Sequence, residues 1–256
     1  PGIVRFEGVS KSFGKLRVLD SIDLAFEQGK TTVVLGPSGA GKSVLLKHIV
    51  GLIRPDSGSV WFRDVRVDAL GERALGPVRR EIGFLFQLSA LFDSMSVLDN
   101  IAFPLLEHTD LSAAERRERV EQALERVDLQ GVMDRLPAEL SGGMQQRLAI
   151  AQALIKKPKI LLLDEPFGAL DPGIRNEVHE IMLRLWREEG MTIFMVTHDL
   201  SEAFKLGTRV IAFDRVRNRP EEQKAYGATV TFDLKVDGKS APPQPPADVT
   251  LAAAAQ

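Results

Sequence analysis

Eight residues near the start of the chain have the types and spacing of a loop that holds phosphate groups. They read Gly-Pro-Ser-Gly-Ala-Gly-Lys-Ser from Gly36 to Ser43 and match the pattern G-x-x-x-x-G-K-S. Glycines let successive backbone N–H groups curve around an anion, because no Cβ stands in the way. Lys42 would reach the terminal phosphates of a nucleotide, and the Ser43 hydroxyl is a ligand type suited to Mg²⁺.

The residues on either side of this loop support the same interpretation. Thr31–Leu35 is a short apolar and β-branched run, typical of a strand buried on both faces, and Ser43–Val50 predicts a helix whose positive dipole end faces an anion. A glycine-rich turn that happens to carry a lysine is the alternative. The residues expected to bind the nucleotide are Gly36, Pro37, Ser38, Gly39, Ala40, Gly41, Lys42, Ser43 and Val44.

A second candidate group is a pair of acids at the end of another apolar run, Lys159–Leu163. The carboxyl end of a parallel strand is where ligands bind in such sheets, so we expect Asp164 and Glu165 to lie beside the phosphate loop. Asp164 would hold Mg²⁺, directly or through water, and Glu165 would polarise the attacking water as a base. Two acids that merely cap the following turn are the alternative.

Composition limits the classes of protein to consider. The chain has 256 residues, 44% hydrophobic and 27% charged, with a net charge of −2, which is typical of a globular protein without a basic field for nucleic acid. It has no cysteine, which excludes disulfides, thiolate metal sites and a cysteine nucleophile. No stretch approaches roughly 18 consecutive apolar residues, so we expect no segment to span a membrane.

Strands and helices alternate through most of the chain, which predicts right-handed crossovers and a parallel sheet. Ser21–Phe26 differs, because its polar and apolar residues alternate with period 2 as in a half-buried antiparallel strand. Ser112–Val127 predicts an amphipathic helix that opens with capping-box spacing. The sequence therefore predicts an α/β fold with a mostly parallel sheet, an antiparallel β front and an inserted α-helical subdomain.

The domain boundaries follow from the same pattern. We expect residues 1–87 and 158–214 to form the nucleotide-binding core and residues 88–157 to form the helical subdomain. Residues 215–239 are expected to be an extension with one strand where 228–236 alternate, and the Pro/Ala-rich residues 240–256 are expected to be a disordered tail.

One further motif narrows the family. Leu140–Gln146 reads Leu-Ser-Gly-Gly-Met-Gln-Gln and resembles the LSGGQ signature of ABC ATPases, with Met144 in place of the usual glutamine. Ser141, Gly142 and Gly143 open a predicted helix and so offer a second anion-binding N-terminus; a plain helix cap is the alternative. The resemblance covers about residues 3–214, and it implies a RecA-like P-loop NTPase core and an ATPase that uses Mg²⁺ with ATP.

The resemblance assigns roles to four further positions. Phe13 stands where the family has an aromatic that stacks on adenine, and Gln87 where its Q-loop glutamine contacts Mg²⁺ and the attacking water. Asp171 ends a stretch similar to the D-loop of the dimer interface, and His198 follows a strand as the family's switch histidine does. A core aromatic and an ordinary strand-end histidine are the alternatives for Phe13 and His198. His48, His108 and His179 match no family position.

The resemblance also implies partners and a location. Two ATPase subunits, either a homodimer or this chain with a second ATPase subunit, would pair head to tail, with each ATP between the phosphate loop of one chain and Ser141–Gly143 of the other. The dimer would energise integral membrane permease subunits from the cytoplasmic face of the inner or plasma membrane, as a peripheral protein. A nucleic-acid partner is not expected.

The type of transporter is less determined, because two parts of the chain resemble different groups. A docking segment at and after the Q-loop resembles ATPases of MCE-type lipid transporters; it comprises Ile82–Gln87, Ala90–Val97 and Asn100–Leu105. The C-terminal part is similar to ATPases of nitrate, sulfonate or urea-type importers, on Asp199–Phe204, Leu206–Val210 and Tyr226–Thr231. We favour lipid transport, because the docking segment is closest to partner choice. A nutrient importer, a soluble non-transport ABC ATPase and a binding module without turnover remain as alternatives.

Overall fold

The computed structural model describes residues 2–86, 91–215 and 226–236. Contacts between Cα atoms divide the chain into two compact units, one formed by Pro1–Arg79 with Thr192–Gln256 and the other by Arg80–Met191. Gln87, the tail 240–256 and parts of the expected extension 215–239 lie outside the described residues.

The described residues contain ten strands and seven α-helices. The strands are β1 (Val4–Phe13), β2 (Leu16–Phe26), β3 (Thr31–Leu35), β4 (Ser57–Phe62), β5 (Val65–Arg66), β6 (Ile82–Leu85), β7 (Ile160–Asp164), β8 (Thr192–Thr197), β9 (Arg209–Asp214) and β10 (Thr229–Lys235). The helices are α1 (Lys42–Ile49), α2 (Glu72–Arg80), α3 (Val97–His108), α4 (Ala113–Arg126), α5 (Gly142–Leu154), α6 (Pro172–Glu189) and α7 (Leu200–Leu206).

The first unit contains an antiparallel sheet with the strand order β2-β1-β4-β5. Its alternating residues bury Phe6 and Phe26, whose rings meet edge to face with centroids 6.0 Å apart. β1 is a long strand of ten residues. The ladder shifts register between Phe6 and Val9, where Gly8 takes a φ of 60°, and β1 continues beyond this irregularity to Phe13.

The parallel strands of the first unit position its functional residues. β8 and β9 both pair parallel with β3, one on each side. Every residue of β3 and β8 is buried, which explains why both strands are almost wholly apolar or threonine. Strands of this kind place the loops that follow them at one edge of the sheet. The residues after β3 and after β8 are therefore neighbours.

β10 lies where the alternation of residues 228–236 predicts a strand, and it pairs antiparallel with β9. Arg209 fixes this pairing through two hydrogen bonds from Nε and Nη2 to the Asp233 carboxylate, of 2.8 and 2.6 Å. The hydrogen bonds from Arg209 lower the pKa of Asp233 below its ordinary value. This ion pair joins the extension to the last strand of the parallel group.

The second unit combines a parallel strand pair, β6 and β7, with helices α3 to α6. α4 begins with the expected capping box, in which the Ser112 hydroxyl accepts from Glu115 N and the Glu115 carboxylate accepts from Ser112 N. Gly83 lies so close to α5 that a Cβ there would be 2.7 Å from the carbonyl oxygen of Ala153. Among the described residues, no helix has the length and apolar character needed to cross a membrane.

α2 is a helix that the sequence did not predict. It contains Gly76 and Pro77, two residues that ordinarily end or weaken a helix. Burial of Leu75 and Val78 stabilises it, and Arg79 adds hydrogen bonds to Glu72 and to the carbonyl oxygen of Val50. Tertiary packing thus outweighs the low helix propensity of the segment.

Candidate nucleotide site

The phosphate loop leaves β3 at Gly36, a position at which the structure leaves no room for a side chain. A Cβ on Gly36 would lie 2.2 Å from the backbone carbonyl oxygen of Phe213 in β9. At the other end of the loop, Gly41 has a φ of 93°, and a Cβ there would lie 2.7 Å from a methyl carbon of Val18. Glycine is therefore required at both ends of the loop by contact with the surrounding strands, as well as by the approach of a ligand.

Lys42 lies across the inside of the loop. Its side chain is only 3% exposed, and Nζ donates to the carbonyl oxygens of Gly36 and Pro37 at 2.7 and 3.0 Å. A buried ammonium group needs such partners, because removing a charge from water without them is costly. The loop therefore holds one positive charge at its centre.

The first turn of α1 begins directly after Gly41 and has no side-chain cap. The N-terminus of a helix carries the positive end of its dipole, so it is suited to an anion. Ser43 and Val44 occupy this turn, and Pro37, Ser38 and Gly39 are exposed on the loop. The arrangement provides backbone N–H groups, a lysine and a hydroxyl within eight consecutive residues.

Phe13 stands at the end of β1 with 48% of its surface exposed, which is not the environment of a core aromatic. The Lys11 ammonium group lies 5.5 Å from the centre of its ring and is itself held by Asp56 at 2.7 Å. An exposed ring of this kind can stack on a planar base.

His198 follows the buried strand β8 and is exposed. Thr197, the last residue of that strand, accepts a 3.3 Å hydrogen bond from Gly36 N at its backbone carbonyl. This contact ties the start of the phosphate loop to the residue before His198. The next residue, Asp199, caps α7 by accepting from Ser201 N and Glu202 N.

In the second unit, β7 carries Asp164 at its last position, buried like the rest of the strand. Glu165 follows in the left-handed region with a φ of 46° and is half-buried. A residue other than glycine adopts this conformation at an energetic cost, and such residues cluster at functional sites. Asp171 lies further along at the N-cap of α6 and is exposed.

The signature residues begin α5. Ser141 is its N-cap and accepts a 3.3 Å hydrogen bond from Met144 N, while Ser141 and Gly142 are both exposed. Gly143 is buried, and a Cβ there would lie 2.4 Å from the Cγ2 atom of Ile174. The start of α5 is therefore exposed at Ser141 and Gly142 and tightly packed against Ile174 at Gly143.

The other candidate residues are a glutamine and three histidines. Gln87 lies outside the described residues. His48 and His179 are buried within α1 and α6, and burial lowers the pKa of His48 below its ordinary value. His108 is the last residue of α3.

The resemblance implies Mg²⁺ with ATP, and such a cation needs oxygen donors. Within the described ranges, no group of three or more His, Asp or Glu side chains could form a metal site. Mg²⁺ in nucleotide sites commonly takes one or two protein oxygens together with phosphates and water. The Ser43 hydroxyl and the Asp164 carboxylate are oxygens of that type.

Comparison with known proteins decides the family. A family model described as ABC transporter matches residues 19–168. The chain belongs to the ABC transporter family. The sulfate/thiosulfate import ATP-binding protein CysA of Rhodopseudomonas palustris is 43% identical to it over 217 residues, which are 84% of this chain and 61% of that relative. CysA of Vibrio cholerae is also 43% identical over 217 residues, covering 84% of this chain and 56% of the relative.

Solved structures of the family have the same fold. A dimeric bacterial ABC transporter cassette, MJ0796, superposes with a TM-score of 0.79 at 32% identity and covers 91% of this chain and 98% of that one. A second dimeric structure of MJ0796, a post-hydrolysis state bound to ADP and phosphate, has a TM-score of 0.78 at the same identity and coverage. The predicted α/β, RecA-like P-loop fold is confirmed, and the prediction of an ATPase is confirmed at the level of the family.

The chain spans about three fifths of the length of the curated relatives that it matches, between 56% and 65% for those considered.

Sequence reasoning missed one residue that organises the docking segment. Asn100 is fully buried in α3; its Oδ1 accepts from Phe92 N at 2.8 Å, and its Nδ2 lies 3.0 Å from the carbonyl oxygens of Phe92, Met95 and Ser96. The sequence shows only a polar residue among apolar ones. A buried amide that fixes a loop is visible only in the fold.

The contact at Gly36 gives a sharp test of the loop. We expect Gly36→Ala to destabilise the cassette by about 2 kcal/mol, as overpacking against a backbone atom does, and to weaken ATP binding. Gly76→Ala is the matched control, because a Cβ at Gly76 meets nothing within 4 Å and alanine favours a helix interior. Denaturant unfolding and equilibrium ATP binding measure both variants. Equal stability of the two would contradict the assigned contact.

Proposed function

We propose that this chain is the ATP-binding and ATP-hydrolysing subunit of an ABC importer. The observation that carries the proposal is the phosphate loop, where Lys42 is buried inside a turn of glycines at the uncapped start of α1. Such a loop binds the phosphate chain of a nucleotide through backbone N–H groups and one ammonium charge.

In this proposal, Gly36 to Val44 bind the phosphates and Phe13 stacks on the adenine. Lys42 leaves the carbonyl oxygens of Gly36 and Pro37 to offset charge on the γ-phosphate, which grows on the equatorial oxygens as the bond breaks. Ser43, Asp164 and Gln87 would hold Mg²⁺, which when bound neutralises phosphate charge.

Two residues are proposed to act on the attacking water. Glu165 would accept its proton as general base, and its unusual backbone conformation after β7 supports a special role. His198, exposed at the end of β8, would orient the γ-phosphate and the water.

The proposed site is completed by a second cassette. Ser141, Gly142 and Gly143 would bind the γ-phosphate of ATP held by the partner chain, and Asp171 would line the interface. The exposed first turn of α5 supports this arrangement, as do the dimeric structures of MJ0796. The partner is a second copy of this chain or another ATPase subunit.

Membrane permease subunits are the proposed third component, with the cassette peripheral at the cytoplasmic face. The loop before α3 supports a docking role: Phe92 is 41% exposed although it is aromatic, and Leu106 on α3 is 52% exposed. Exposed apolar groups of this size are typical of interaction surfaces.

For the cargo we propose a small inorganic oxyanion of the sulfate type. The relatives described above are sulfate/thiosulfate import proteins at 43% identity, and their names do not support the lipid transport that the docking segment suggested. The importer-like C-terminal part of the sequence points in the same direction.

Purification of the chain from membranes, with identification of its protein partners and bound lipids, tests the cargo. An importer is expected to bring permease subunits encoded with a periplasmic solute-binding protein, and sulfate should raise ATP turnover of the complex with that protein. Recovery of an MCE-type partner with bound lipid would overturn the proposed cargo while leaving the ATPase assignment intact.

A further inference from the structure

We propose that Thr197 and Glu202 form a buried positioning pair that sets the orientation of His198 toward the nucleotide. The inference rests on the proposed role of His198 and adds two residues to it. Neither Thr197 nor Glu202 would touch the substrate.

The geometry joins the two side chains to the backbone around His198. The Thr197 hydroxyl donates a 2.7 Å hydrogen bond to Glu202 Oε2 and accepts a 3.0 Å hydrogen bond from Asp199 N. The two backbone positions next to His198 are therefore held by one hydroxyl group, whose own orientation is set by the carboxylate.

The Glu202 carboxylate lies in the interior of the protein. Glu202 is 2% exposed and Thr197 is 1% exposed. Burying a carboxylate is costly unless it is hydrogen-bonded. α7 does not need Glu202 as a cap, because the Asp199 side chain already accepts from the N–H groups at its start. The bond from Thr197 gives the inward-facing Glu202 carboxylate a buried partner.

Thr197 also contacts the phosphate loop. Its carbonyl oxygen accepts the hydrogen bond from Gly36 N, while its hydroxyl holds the turn at Asp199. A single residue thus connects the first glycine of the loop with the backbone that carries His198. The pair thus fixes the position of the histidine relative to the phosphate-binding residues. Small errors of position at such a site strongly lower the rate of hydrolysis.

Steady-state ATP hydrolysis by the full chain tests the pair. We expect Thr197→Val, which removes the hydroxyl at nearly constant volume, to lower kcat by about tenfold with little change in KM for ATP. Thr197→Ser keeps the hydroxyl and should recover most of the rate. Glu202→Leu should behave like Thr197→Val, and Glu202→Gln, which keeps an acceptor oxygen, should fall between Glu202→Leu and the wild type.

Thr192→Val is the matched control. Thr192 opens the same strand, is equally buried, and its hydroxyl accepts a 2.9 Å hydrogen bond from Gly29 N. Both valine variants should lose a similar amount of Tm, but only Thr197→Val should lose kcat. Equal losses of kcat would show a general effect of stability and would overturn the inference. Should Thr197→Val fail to fold, the graded Glu202 variants are compared with Thr192→Val in the same way.

A double-mutant cycle tests whether Thr197 acts on kcat through His198. In a His198→Ala background, Thr197→Val should lower kcat no further, because the residue that it positions is gone. A tenfold loss in that background would overturn the inference. If His198→Ala lowers kcat and Thr197→Val does not, only the positioning role fails. If His198→Ala keeps its full kcat, the proposed role of His198 is wrong and the inference falls with it.

Discussion

Lys42→Ala should reduce ATP hydrolysis by about 10³-fold, the size of effect seen when one group that stabilises transition-state charge is removed. The Lys42 ammonium group is the positive charge at the centre of the loop and is held by two carbonyl oxygens, those of Gly36 and Pro37. Without it, charge that grows on the γ-phosphate oxygens has no cation supplied by the loop. Phosphate release under saturating ATP and Mg²⁺ measures the loss.

Two controls separate the lost charge from damage to the fold. Lys47→Ala removes an ammonium group from the last turn of the same helix and should leave turnover within about twofold, because that charge lies at the opposite end of α1 from the phosphate loop. Thermal unfolding of Lys42→Ala reports whether loss of the two hydrogen bonds from Nζ to the carbonyl oxygens of Gly36 and Pro37 destabilises the loop. Near-normal hydrolysis by a folded Lys42→Ala variant would refute the assignment of the site.

Glu165→Gln should convert the chain from a transient to a stable ATP-dependent dimer. The variant keeps the shape of the side chain but cannot accept a proton, so kcat should fall by about 10²- to 10³-fold while ATP still binds. ATP that is bound and not hydrolysed would then hold two cassettes together. Light scattering should show the mass rise from 28.2 kDa to about double on addition of ATP.

The same background tests whether the signature acts in trans. Adding Ser141→Arg to Glu165→Gln should abolish the dimer, because a bulky cation would fill the exposed first turn of α5. Glu125→Gln, an equivalent change on an exposed face of α4, should give no stable dimer with ATP and should leave turnover unchanged. A Glu165→Gln variant that stays monomeric with ATP would argue against the proposed composite site.

The sequence predicts the features that are determined by residues close to one another along the chain. The phosphate loop, the buried strand before it and the capping box of α4 are each encoded within about eight consecutive residues, so their spacing alone identifies them. The C-terminal strand β10 is indicated by its alternation for the same reason.

Other features depend on packing between distant residues and could not be predicted in this way. α2 forms despite Gly76 and Pro77, because burial of its apolar face outweighs helix propensity. The length of β1 is hidden by the irregularity at Gly8. Glu202 stands beside apolar residues in a short helix, where an acid is expected to face water, and only the fold shows that it turns inward to Thr197.

The amide of Asn100 has a mechanical consequence. The exposed Phe92 is tied at both its N–H and its carbonyl oxygen to the Asn100 side chain, so bending its loop away from α3 would break two hydrogen bonds. A displacement of α3 would therefore tend to move Phe92 with it, and a membrane partner docked on that ring, as proposed above, would be moved too. One buried side chain thus links the proposed docking residue to the helix behind it, as a surface that passes movement to a partner would require.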